Sequence, residues 1–252
     1  MSSRPGSGTS PHRSRVAVPH IYADLRRQIV SIGLEPGASL SEARIAETYG
    51  VSRTPVREAF KRLAEDGLLQ VVPQVGTFVA RIDLQTVRDA HFVRETLECR
   101  IVELAAERID DAQRAELRRN IRELELAQRS GHRDAHFRAD EAMHAMLARF
   151  AGHQHAWDVI REAKAQLDRI RHLGLTRPGR PRATVLEHRA IVERVIAGDA
   201  KAAVEAMRAH LGTVMEVLGD MAAKHAEYFD EPGLDEPADR ADREAVGQGD
   251  LA

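Results

Sequence analysis

Four residues of metal-ligating type fall on segments with helical spacing, and two of them frame one turn. The stretch EHRAIVERVIAGDAKAAVEAMRAHL, residues 187–211, is typical of two amphipathic helices separated by Gly198-Asp199, with His188 and His210 near its outer ends. Each histidine is about 11 residues from the turn, so at ~1.5 Å per residue two antiparallel helices would bring both imidazoles to one height, roughly 16–17 Å from the turn. Two imidazoles at the same height on neighbouring helices can form half of a metal site.

The segment ADEAMHAMLARF supplies two further candidates, Asp140 and His144. They are four residues apart and therefore share one helix face. Three neutral imidazoles and a carboxylate suit zinc, nickel and other divalent first-row ions. The alternative is a chance arrangement: the chain has 12 histidines, and Asp140 and His144 alone would be an ordinary polar pair. His153 and His155 are rival ligands, although their place near a helix start predicts exposure.

Composition favours a mainly α-helical globular protein. Of 252 residues, 43% are hydrophobic, 30% charged and only 4% aromatic, and Ala, Leu, Arg and Glu favour helices. No apolar run approaches the ~20 residues needed to cross a bilayer, and the N-terminus lacks the apolar core of a secretory signal, which predicts a cytoplasmic protein with no membrane partner. The single cysteine, Cys99, excludes an internal disulfide and is expected to be a buried apolar residue.

Charge is unevenly distributed along the chain. Residues 1–81 carry 11 Lys/Arg and 7 Asp/Glu, residues 82–228 carry 24 of each, and residues 229–252 carry 2 and 8. A basic N-terminal module on a neutral body suggests an anionic partner for that module. Residues 1–15, rich in Ser, Gly, Pro and Arg, are expected to be disordered, and residues 229–252 to form an acidic flexible tail.

Residues 16–83 have the outline of a winged helix-turn-helix. Helical spacing runs from Val18 to Ile32, Ser41 can cap a short second helix, and Ser52 can cap a third that runs to Asp66. Two strand-like pieces, 68–72 and 77–82, follow with a hairpin-type turn between them. In such a module the start of the third helix enters the major groove, where hydroxyls suit phosphates and arginines suit guanine edges.

From residue 84 to 228 the pattern predicts an all-α antiparallel bundle of about six helices. Breaks at Asp110-Asp111, Ser130-Gly131, Gly152 and the loop 174–181 give the following approximate spans: 84–109, 111–130, 132–151, 153–174, 181–198 and 200–226.

The run PGASLSEARIAETYGVSRTPVREAFKRLAEDGLLQVVPQVGTFV resembles the DNA-binding domain of the GntR family of bacterial transcription regulators. The resemblance covers residues 18–82. It implies that residues at the recognition helix and the wing contact double-stranded operator DNA, with Gly76 close to the minor groove. The residues that match are Arg44, Ser52, Arg53, Thr54, Arg57 and Gly76.

The bundle is similar to the FCD effector-binding domain found in the FadR subfamily of these regulators. The matching pieces are VRETLECRIVELAA, ADEAMHAMLARFAGH and LEHRAIVERVIAGDAKAAVEAMRAHL. The resemblance implies that Asp140, His144, His188 and His210 hold a divalent metal, with zinc expected and nickel or manganese as alternatives. Six helices rather than seven would place the chain nearer the shorter VanR-like branch, which the expected helix boundaries leave open.

Together these features predict a ligand-responsive DNA-binding regulator, a repressor by default in this family, that acts as a homodimer. The expected effector is a small organic acid in a metal-containing helical cavity, with Arg94 and Arg171 as its bidentate partners; the alternative for both arginines is a structural ion pair. Two other functions stay open: a metal-dependent hydrolase and a regulator whose metal is purely structural. Against the hydrolase, no carboxylate is evidently placed as a general base, although Glu141 and Glu187 adjoin ligands in the sequence.

Overall fold

The computed structural model describes residues 11–230, with side chains from residue 17 onward. The N-terminal part consists of three helices and a small antiparallel sheet in which β3 lies between β1 and β2. Its elements are α1 (Pro11–Val30), β1 (Ser39–Leu40), α2 (Glu42–Tyr49), α3 (Arg53–Glu65), β2 (Leu69–Val72) and β3 (Gly76–Val79).

Local sequence accounts for how α2 and α3 are set. Ser41 caps α2 by accepting a hydrogen bond from the Arg44 amide at 3.5 Å. Gly50 ends α2 in the left-handed region at φ 62°, a backbone conformation that glycine adopts without strain. Ser52 is the first residue outside α3 but makes no side-chain capping bond. The helix-turn-helix predicted for this segment is confirmed.

The C-terminal part is a bundle of seven described helices. They are α4 (Leu84–Arg108), α5 (Asp111–Arg129), α6 (Arg133–Phe150), α7 (Gln154–Ala163), α8 (Ala165–Gly174), α9 (Arg180–Ala197) and α10 (Ala200–Lys224). One large apolar cluster, which includes Cys99, Met143, Leu147 and Met207, fills its interior. Each large side chain buried in this way stabilises the fold by about 1.5–3 kcal/mol.

The prediction of six helices is wrong at one point. The span predicted as one helix, 153–174, is two helices that meet at Lys164. No glycine or proline marks this break; instead Lys164 is buried, and its amine is held by Glu141 at 2.6 Å and Asp168 at 2.5 Å. The count of seven removes the argument for the VanR-like branch.

The expected ends of the domains also shift. Helix α1 begins at Pro11, within the segment expected to be disordered, and residues 1–10 lie outside the described residues. The two-residue strand β1 was not predicted. At the other end, Phe229 is buried and pairs with Ile82, so the bundle extends slightly into the expected tail, whose residues 231–252 lie outside the described range. Among residues 11–230, no helix is both long and apolar enough to cross a membrane.

Candidate metal centre and nucleic-acid interface

Four buried side chains from three helices converge inside the bundle. Asp140 and His144 come from α6, His188 from α9 and His210 from α10, and one potential ligand atom of each lies within 4.8 Å of the others. His188 Nε2 is 3.2 Å from Asp140 Oδ1 and 3.3 Å from His210 Nε2. The structure thus brings together all four residues predicted as metal ligands.

The turn between α9 and α10 explains why His188 and His210 meet. Gly198 ends α9 in the left-handed region at φ 73°, and Asp199 caps α10 by accepting a hydrogen bond from the Ala202 amide at 3.0 Å. The chain reverses within these two residues, so positions about equally far from the turn lie side by side.

The donor atoms fit a cation. His210 Nδ1 lies 2.8 Å from Glu187 Oε2, and His144 Nδ1 is in ion-pair contact with Glu98. A carboxylate only accepts hydrogen bonds, so His210 Nδ1 carries the proton and its Nε2 presents a lone pair to the cluster. The Glu98 contact favours the same tautomer at His144, although its geometry is not that of a hydrogen bond. His144 Nε2 is buried with no hydrogen-bond partner among the described residues. A divalent ion of the zinc type, bound to imidazole and carboxylate, would satisfy these lone pairs.

The electrostatics favour neutral imidazoles at His188 and His210 beside an ionised carboxylate, which is the protonation state that a metal requires. Burial lowers the pKa of His188, and burial lowers the pKa of His210 to about 3. Burial by itself would raise the pKa of Asp140, but the Arg171 guanidinium and His188 outweigh it and hold that pKa well below its usual range.

A small cavity of about 40 Å³ adjoins the ligands Asp140 and His210. Three arginines border it: Arg94, Arg171 and Arg180. Thr184, Thr213 and His136 add polar atoms, while residues such as Ile170, Leu211 and Val217 supply an apolar wall. A cavity that is partly apolar with several convergent cationic and polar groups is suited to a small anion.

The three arginines differ in how far their donors are already used. Arg171 is saturated by Asp140, by Glu141 at 2.6 Å and by Asp168 at 2.8 Å. Arg94 donates from Nε to Glu98 at 2.7 Å, but its buried Nη2 has no partner within the described part of the chain. Of the two arginines predicted to meet an effector, Arg94 therefore has a donor to offer, and Arg171 is engaged in ion pairs.

Helix α8 contacts the ligand cluster and the DNA-binding module at once. On α8, Arg171 pairs with Asp140 of the cluster and is itself held by Asp168 at 2.8 Å. Gln166, on the same helix, donates from Nε2 to the carbonyl of Gly67 at 2.7 Å, in the turn that follows α3. Ala165 is buried in the apolar core of the winged helix.

The candidate DNA interface lies at the start of α3. Ser52, Arg53 and Thr54 are exposed there, and Arg44 is exposed on α2. The exposed Arg57 is held by a two-pronged ion pair with Glu42, at 3.1 and 3.3 Å, so a contact to DNA would compete with that pair. A helix N-terminus with exposed hydroxyls and a free arginine is suited to phosphates and to guanine edges.

At the wing, Gly76 opens β3 with φ 154°, and Val71 and Val75 are exposed nearby. The rival histidines, His153 and His155, are exposed, as expected. Glu98, Arg180 and Thr213 were not identified from the sequence. The four-residue spacing of Arg94 and Glu98 within one helix was the available signal for the first of these.

Two parts of the chain match known families. Residues 18–79 match the bacterial regulatory proteins of the gntR family, and residues 89–213 match the FCD domain. The winged helix and the site residues 94–210 lie within these two matches, which together cover most of the described chain.

Curated relatives match over most of their length. One is an uncharacterised HTH-type transcriptional regulator in an unstable DNA locus of Streptomyces ambofaciens, 40% identical over 83% of this chain and 88% of the relative. Another is the HTH-type transcriptional repressor RspR of Escherichia coli, 35% identical over 84% of this chain and 92% of the relative. Among solved structures, E. coli McbR/YncC has a TM-score of 0.71 at 22% identity over 81% of this chain and 98% of that one, a likeness in fold.

Proposed function

The chain belongs to the GntR family of bacterial regulatory proteins and carries an FCD domain, and we propose that it is a metal-dependent repressor released from operator DNA by a small organic acid. It is a ligand-responsive DNA-binding transcription regulator of mainly α-helical fold. Repression is supported by the relative named as a repressor. We place it in the cytoplasm. It would act as a homodimer, because two winged helices related by a two-fold axis match a roughly palindromic operator.

In this proposal Asp140, His144, His188 and His210 hold one divalent ion, with zinc as the expected metal and nickel or manganese as alternatives. Support comes from the buried lone pairs of the imidazoles and from the ionised Asp140. When bound, the ion supplies positive charge and open coordination positions at the edge of the cavity.

The size and charge of the cavity support a small anionic effector. About 40 Å³ is room for roughly three water molecules, since one water needs ~10–15 Å³ measured in this way. Arg94 Nη2, which has no hydrogen-bond partner among the described residues, is the first contact that we assign to the acid, and Arg180 also borders the cavity. Arg171 would act differently, through its ion pair with Asp140.

The observation that carries the switch is the double attachment of α8. A ligand that alters the charge around Asp140 would alter the ion pair between Asp140 and Arg171 of α8. A resulting shift of α8 would move Gln166, which donates to the Gly67 carbonyl in the turn after α3. The DNA contacts in the proposal are those of Arg44, Ser52, Arg53, Thr54, Arg57 and Gly76. Effector binding would shift the population between arrangements of the two DNA-binding modules.

A hydrolase is the less favoured alternative. Both carboxylates that could serve as its base are occupied: Glu141 pairs with Lys164 and Arg171, and Glu187 with Arg180 and His210. The two curated relatives described above are named as transcriptional regulators.

The proposal is tested by a thermal-shift screen of small organic acids on metal-loaded protein. A stabilising acid is then titrated against operator DNA by fluorescence anisotropy, with the exposed-site variant His155→Ala as control and His188→Ala as the site variant. We expect release of DNA by wild type and the control, and loss of the response in His188→Ala. An acid that binds tightly and leaves operator affinity unchanged refutes the switch.

A further inference from the structure

Two contact chains of the same kind lead from the cavity to the candidate metal ligands. In the first, Arg94 Nε donates to Glu98 Oε1 at 2.7 Å, and Glu98 Oε2 is in ion-pair contact with His144 Nδ1. In the second, Arg180 binds both oxygens of Glu187, at 2.7 and 2.8 Å, and Glu187 Oε2 lies 2.8 Å from His210 Nδ1. Each chain therefore has the order arginine, glutamate, histidine.

Each glutamate faces the Nδ1 atom of its histidine, through a hydrogen bond at His210 and through an ion-pair contact without hydrogen-bond geometry at His144. The carboxylate offers only acceptors, so each contact favours the tautomer with the proton on Nδ1 and the Nε2 lone pair facing the ligand cluster. The third imidazole, His188, lies outside both chains, since among residues 17–230 its Nδ1 has neither a hydrogen bond nor a glutamate in ion-pair contact. Groups that orient metal-binding histidines in this way raise the basicity of the ligand and reduce its freedom to turn.

Each arginine in turn holds its glutamate. Both arginines border the cavity, Arg94 with an unpartnered Nη2 and Arg180 with a further bond to Thr213 Oγ1 at 2.9 Å. Each arginine therefore contacts a glutamate of the metal site and also lines the cavity.

We infer that Glu98 and Glu187 are positioning residues for the metal, and that Arg94 and Arg180 act on the metal through them. The inference rests on the proposed metal site and adds to its four ligands the residues that hold two of them in place. It makes the metal affinity dependent on the two Arg–Glu pairs at the cavity wall, whether or not DNA is present.

The Glu187 chain is the better one to test, because Glu187 and Arg180 are each about one-fifth exposed whereas Arg94 and Glu98 are buried. In Glu187→Gln the single amide oxygen is claimed by Arg180, and the amide NH₂ turns toward His210 Nδ1. That donor favours the opposite tautomer, with the proton on Nε2 and no lone pair for the metal.

The matched control is Glu125→Gln. Glu125 lies on α5, is exposed to the same degree as Glu187, and pairs with Arg189 of α9. Arg189 follows His188 in the chain, but among the described residues neither side chain of this pair makes a hydrogen bond or ion pair with a candidate ligand. The two substitutions remove the same charge from a comparable ion pair, so a difference between them reports on His210.

The experiment measures Zn²⁺ affinity of the full chain by competition with a chromophoric chelator, together with the visible spectrum of the Co²⁺-loaded protein. We expect Zn²⁺ affinity to fall about 10- to 100-fold in Glu187→Gln, with an altered Co²⁺ spectrum, and to stay unchanged in Glu125→Gln. Wild-type affinity and spectrum in a folded Glu187→Gln protein overturn the inference.

The variant Arg180→Met distinguishes a role in positioning Glu187 from a purely electrostatic effect of the Arg180 charge on the metal. Loss of a nearby cation by itself tightens Zn²⁺ binding, because two like charges no longer repel. Loss of the clamp on Glu187 weakens it, and the double variant is then no weaker than Glu187→Gln. Tighter binding in Arg180→Met overturns the inference, and a wild-type protein that takes up no divalent metal overturns the metal site together with it.

Discussion

Withdrawal of the metal should destabilise the bundle by an amount that depends on His188. This imidazole is fully buried, with Nε2 facing both Asp140 and His210, so it is central to the ligand set. Free metal at 100 times its Kd stabilises the folded state by about 2.7 kcal/mol if the unfolded chain does not bind it. A gain of this size raises Tm by about 5–11 °C in a chain of 150–250 residues.

The assay is differential scanning fluorimetry or calorimetry of protein stripped with chelator and then reloaded with Zn²⁺. His188→Ala is expected to lose most of the metal-dependent rise, whatever its own metal-free Tm. His155→Ala removes a fully exposed histidine and is expected to keep the whole rise. The metal site is refuted if reloading leaves wild-type Tm unchanged, or if His188→Ala responds to Zn²⁺ as wild type does.

Three further predictions concern DNA contact, domain coupling and acid sensitivity. Arg53→Ala should weaken operator binding and lower the salt slope by about one, with no change in Tm, as measured by anisotropy at several salt concentrations. Gln166→Ala leaves the Gly67 carbonyl without its 2.7 Å donor; this costs about 1–3 kcal/mol locally, so hydrogen exchange in the turn after α3 should accelerate. Burial lowers the pKa of His172 to about 4 and that of His210 to about 3, so both are neutral when folded and protonated below pH ~6.5 when unfolded. Metal-free stability should therefore fall by roughly 1.4 kcal/mol per pH unit for each group as the pH drops from 6.5 toward 4, and urea unfolding at a series of pH values measures it.

The winged helix and the pairing of His188 with His210 could be predicted because each depends on local signals, whereas the joining of Asp140 and His144 to that pair was implied only by the resemblance to the FCD domain. Ser41, Gly50 and the hairpin turn mark the element ends of the winged helix within a few residues of where they lie. The equal distances of His188 and His210 from the Gly198 turn are a property of one helical hairpin. Such features follow from spacing along the chain and require no knowledge of distant contacts.

The break between α7 and α8 could not be predicted, because its cause lies elsewhere in the fold. Lys164 is an ordinary helix-forming residue in the sequence, and only the structure reveals that its amine is buried between Glu141 and Asp168. The bond from Gln166 to Gly67 spans 99 residues and has no periodic signature. Tertiary contacts of this kind override local propensity.

Asp140 connects the candidate metal site to α8, the helix that contacts the DNA-binding module. Its carboxylate faces His188 and is also held by Arg171 from α8. A divalent ion bound to Asp140 would weaken the attraction between that carboxylate and Arg171, which would still have Glu141 and Asp168 as partners. The arginine therefore stays buried and paired as its balance of contacts changes, and the change falls on α8. Because Gln166 on the same helix donates to the turn after α3, the ligand cluster and the helix-turn-helix are joined through α8, with one polar contact at each side.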